Sequence, residues 1–80
     1  MKLYGYADGP DTPETPQAIR EVTLIAAPQI LRELAAFLVT VANEMERDAV
    51  GFDHAHATDR ITSLPPNGPD LIVASTRYAV

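Results

Sequence analysis

Arg20-Glu21-Val22-Thr23-Leu24-Ile25-Ala26, followed at once by Ala27-Pro28-Gln29-Ile30-Leu31-Arg32-Glu33-Leu34, is a strand handing over to a helix, and the fold follows from that junction. Val22, Leu24 and Ala26 alternate onto one face of the strand, with Thr23 and Ile25 on the other. Proline suits the first helical position, where its missing N–H costs nothing, although Ala27 offers no side-chain acceptor as a cap. From Pro28 to Val50, Leu31, Leu34, Leu38, Val41 and Met45 recur at spacings of three and four, and Ile30, Phe37 and Ala42 widen the stripe. Gln29, Arg32, Glu33, Thr40, Asn43, Glu44 and Arg47 fall on the other side. A helix over 28–50 is a rod of about 30 Å, long enough to cover a small sheet. Gly51 is placed to close it in a left-handed conformation.

Outward from this unit, Leu3-Tyr4-Gly5-Tyr6 reads as a short strand. Pro10, Pro13 and Pro16 then punctuate an acidic, threonine-containing stretch and predict an extended surface loop; the PxxP spacing alone is a weak polyproline signal. After the helix, Phe52 to Ile61 is ambiguous, but His54-Ala55-His56-Ala57-Thr58 alternates like a strand with one face outward. Leu64 to Pro69 is a loop with Asn67-Gly68 turn chemistry. Asp70-Leu71-Ile72-Val73-Ala74-Ser75 returns as a strand whose run of apolar residues predicts burial on both faces and a central position. The expected architecture is a single α+β domain over 1–80: two layers, one long amphipathic helix on a small, mainly antiparallel sheet, in the order β-β-α-β-β. One helix covers one face of such a sheet. The other face, with Ile25, Ile72, Tyr4 and Tyr6, is expected to meet water or another protein.

Composition narrows the function classes. The chain has 80 residues and no cysteine, which removes disulfides and thiolate metal or redox sites. The start lacks the apolar core of a signal peptide, and the longest apolar run, Leu34 to Val39, is far short of a membrane span, so a cytoplasmic protein is expected. Lys2 and the scattered Arg20, Arg32, Arg47, Arg60 and Arg77 cannot balance a net charge of −5. No basic patch exists to meet phosphates, so nucleic acid is a poor partner and a basic protein a better one.

The residues able to carry chemistry are few. In a strand, His54 and His56 project to the same side about 7 Å apart, a spacing from which two imidazoles reach one metal ion. Asp53 is expected on the opposite face, which leaves only Asp59, and only if the chain bends. Three converging ligands are therefore not predicted, and neither metal nor cofactor is assigned; exposed or interface histidines, or a pair that titrates in mild acid, fit as well. Ser63 and Ser75 sit in no sharp-turn context for nucleophilic catalysis, and no glycine loop cradles phosphate. Glu44, Glu46 and Asp48 read as a solvated last turn of the helix. No enzymatic activity is expected.

Taken in order, Met1-Lys2-Leu3-Tyr4-Gly5-Tyr6, Arg20 to Leu24, Ala27 to Leu38, Glu44-Met45-Glu46, Phe52-Asp53-His54-Ala55-His56 and Pro69 to Val73 resemble the immunity protein 32 family of bacterial polymorphic toxin systems. The resemblance spans nearly the whole chain except the proline-rich insert and the last few residues. It implies a cytosolic protein that binds a cognate protein toxin and neutralises it by covering its active surface. The family's His-x-His stretch followed by an acid is matched by His54, His56 and Asp59. The aromatic that usually follows that acid is replaced by Ile61 and Leu64-Pro65. On this reading Tyr4, Tyr6, His54, His56 and Asp59 form the partner-binding surface. Two alternatives belong to other classes: a small metal- or pH-responsive binding module centred on the His-x-His strand, and a homodimeric accessory protein.

Overall fold

A computed structural model describes residues 1–7 and 17–78. Strand β1, Lys2–Ala7, pairs antiparallel with β2, Ile19–Ile25, in a register that sets Leu3 opposite Leu24 and Tyr4 opposite Thr23. The register slips between Tyr6 and Ala7, a bulge beside Gly5. A Cβ on Gly5 would lie 3.1 Å from both Ile19 Cγ2 and the Glu21 carbonyl oxygen, so the absent side chain lets Ile19 lie across the strand pair. The proline-spaced loop expected over Pro10 to Pro16 lies outside the described residues.

Helix α1, Pro28–Arg47, opens with proline behind an uncapped Ala27, as the sequence predicts. It ends three residues earlier than expected. Asp48 takes the C-cap position with its N–H on the Glu44 carbonyl, and its Oδ1 accepts the Gly51 N–H at 2.9 Å. Gly51 does not act through a left-handed conformation, since no described glycine has positive φ. What its bareness permits is the approach of that carboxylate: a Cβ would fall 2.2 Å from Asp48 Oδ2.

Strand β3, His54–His56, runs directly into a single helical turn, α2, Ala57–Arg60, so the alternating stretch is a strand only as far as His56. Strand β4, Ile72–Ala74, pairs antiparallel with β3, setting His54 opposite Ala74, Ala55 opposite Val73 and His56 opposite Ile72. A 3-10 turn follows at Thr76–Tyr78. The α+β class and the strand-helix order hold, with α2 and the 3-10 turn added. Among the described residues there are, in place of one sheet, two two-stranded ones, β1-β2 and β3-β4. The central strand expected at 70–75 is correspondingly short, and Ile72 lies on an exposed face.

The core explains the division. Leu34, Phe37 and Val41 of α1 pack with Ala55, Ala57, Ile61 and Leu64 into one buried cluster, and Ile30, Met45, Phe52, Leu71 and Val73 close its margin. All of these come from α1 and the β3-α2-β4 half; among the described residues Met1 alone reaches it from the β1 end. The buried stripe of the helix thus runs Ile30-Leu34-Phe37-Val41-Met45, whereas Leu31 and Leu38 of the predicted stripe remain 44% and 46% exposed. One small layer can cover only one flank of so wide a stripe. Arg60 fastens α2 to α1 with a fork of two hydrogen bonds to Glu44, 2.7 and 2.8 Å, so Glu44 is an ion-pair partner rather than a free last-turn acid.

Candidate functional site

Four of the five predicted site residues lie on two surfaces, on two different sheets, and the fifth, Asp59, lies on α2. The first surface is the outer face of β3-β4. Ala55 points into the core, so its neighbours His54 and His56 must point out, beside Ile72 and Ala74 of β4. Their rings meet edge to face with centroids 5.0 Å apart. Each imidazole also touches a carboxylate through Nδ1: His54 on Asp53 Oδ2 at 2.5 Å, His56 on Asp70 Oδ2 at 2.7 Å. A carboxylate only accepts, so both Nδ1 atoms carry the proton and donate.

Asp53 therefore does not turn away from the pair, because the chain leaves strand geometry just before His54 and its side chain reaches back to the neighbouring ring. The second carboxylate is Asp70 and not Asp59. Asp59 lies exposed on α2, where its charge adds to the field on Arg60. Asp70 Oδ1 accepts the Thr58 N–H at 3.0 Å, which caps α2 from across the sheet, since His56 provides no cap of its own. Partial burial pushes the Asp70 carboxyl up, but the Thr58 N–H and the His56 imidazole outweigh it and hold the group below its ordinary 3.8. Asp70 is the site residue that sequence reading missed. The available signal was an acid just before a strand that runs antiparallel to the histidines, which carries it back to their end of the sheet.

The second surface is the β1-β2 hairpin. Every residue of β2 is exposed, including the apolar Ile19, Val22, Leu24 and Ile25. Tyr4 and Tyr6 stand 57% and 64% exposed on β1. Register places them on one face with Glu21, Thr23 and Ile25, while Leu3, Gly5, Val22 and Leu24 share the other. On that second face a shallow apolar groove runs over Leu3, Ile19 and Val22 to Leu71, where the hairpin meets the other half of the molecule. The apolar face expected to lie against the core is thus largely open.

Among the described residues no group of three or more His, Asp and Glu side chains is arranged to hold a metal, and no helix is long and apolar enough to cross a membrane. No buried side-chain polar atom there lacks a hydrogen-bond partner. Compared with protein-family models, with curated proteins and with solved structures, the chain has no match.

Proposed function

We propose that the chain is a cytoplasmic immunity-type protein that binds a cognate bacterial protein toxin and neutralises it by occlusion. The observation that carries this reading is the hairpin: two tyrosines and four aliphatic side chains stand open on a two-stranded sheet. An isolated two-stranded hairpin is only marginally stable in water, and open aromatic and aliphatic area of this kind is what protein interfaces bury. The net charge of −5 favours a basic partner and speeds its capture. Tyr4 and Tyr6 are the aromatic anchors; His54, His56 and Asp59 extend the contact as a polar margin.

The test is protection in vivo. The chain is co-expressed in a bacterial host with candidate toxin domains of polymorphic toxin systems, and growth is followed. Restored growth that Tyr6→Ala impairs, with the variant equally abundant and folded, is the expected result. Unrestored growth in the presence of abundant folded wild-type protein contradicts the proposal. A homodimer that buries the hairpin on a second copy would instead give a sedimenting species of twice the chain mass and no protection.

A further inference from the structure

We propose that His54 and His56 together bind one divalent ion of the zinc, nickel or copper class through their Nε2 atoms. Three observations support it. Both Nδ1 atoms are engaged by carboxylates, Asp53 at 2.5 Å and Asp70 at 2.7 Å. That fixes the tautomer in which Nε2 carries the lone pair, and it is the outer-shell arrangement that metal-ligating histidines use to orient the ring and raise its basicity.

The two carboxylates also sit at opposite ends of the pair. Asp53 precedes His54, and Asp70 enters from the end of β4 that lies opposite His56. Within an imidazole Nε2 lies across the ring from Nδ1, so each Nε2 faces away from its own carboxylate.

The third observation is the separation itself. With a metal–nitrogen bond of about 2.1 Å and about 1.1 Å from nitrogen to ring centre, two imidazoles at a tetrahedral angle place their centroids about 5.2 Å apart. The observed centroid distance is 5.0 Å. The side chains are 45% and 34% exposed, so an ion reaches them from solvent. Two protein ligands leave two positions for water or for a donor atom of a bound protein, and imidazole selects this metal class over magnesium and calcium.

The experiment is calorimetric titration of the full chain with zinc chloride, with magnesium chloride as control, on wild type, His54→Gln and Asp53→Asn. His54 and Asp53 are exposed, and the folded state of each variant is checked by its far-UV spectrum. The expected result is one zinc per chain, affinity reduced at least about tenfold in His54→Gln and about 10–100-fold in Asp53→Asn, and no magnesium binding. Zinc binding weaker than about 1 mM overturns the proposal, as does affinity that His54→Gln changes by less than about twofold.

Discussion

Asp70 ties several parts of the molecule together: it holds His56, caps α2 through Thr58 and stands at the entrance to β4. Asp70→Ala removes the acceptor for two donors at once, and leaving partly buried donors unpaired costs about 1–3 kcal/mol. A urea midpoint unchanged in Asp70→Ala would contradict that role. The linkage with pH has a definite sign. Because the folded-state carboxyl is held below its ordinary 3.8, the stability it contributes is present above that value and is lost as pH falls through and below it. Glu44 acts in the same direction, since the hydrogen bonds from Arg60 hold it below its ordinary 4.5. Urea midpoints measured from pH 7 down to pH 3 should therefore fall in acid, with a shallower fall below about pH 4 in Asp70→Asn. Parallel curves would remove Asp70 from the account. At Gly51 the constraint is space. Gly51→Ala displaces the Asp48 carboxylate and forfeits a hydrogen bond worth about 1 kcal/mol, a loss visible as a lower melting temperature.

Elements show where local pattern is sufficient and where it is not. The periodicity over 28–50 and the proline at its start were enough to place α1 and its first residue, though not its end at Arg47, because they are properties of neighbours in sequence. Which flank of the stripe is buried depends on what lies across from it, and that depends on Ile61, which closes the ambiguous stretch, and Leu64, which reads as loop. The same limit applies to the histidines. Alternation made their shared face legible, while the turn to helix at Ala57 and the arrival of Asp70 depend on tertiary hydrogen bonds. In β2, alternation predicted an apolar face correctly as pattern, yet no layer covers it. A contrast within α1 tests the packing. Leu34→Ala should cost about 2–5 kcal/mol and Leu38→Ala well under that, because only Leu34 is buried. Equal losses on urea unfolding would mean that the helix presents a different flank.

At the scale of the molecule, the core belongs to α1 and the β3-α2-β4 half, and the β1-β2 hairpin adds aromatic and aliphatic surface with little cover. That asymmetry is the physical basis for assigning the hairpin to a partner, and it was only half visible beforehand: the open face was expected on a single sheet backed by the helix. A hairpin with so few stabilising contacts opens locally at low free energy, so its amides are expected to exchange faster than those of α1 in the free protein. The most direct measurement is amide hydrogen exchange on the chain with and without a toxin domain against which it protects a bacterial host. The account predicts slowed exchange concentrated in Lys2–Ala7 and Ile19–Ile25, with α1 unchanged. Toxin binding that leaves those two strands exchanging as in the free protein would contradict it.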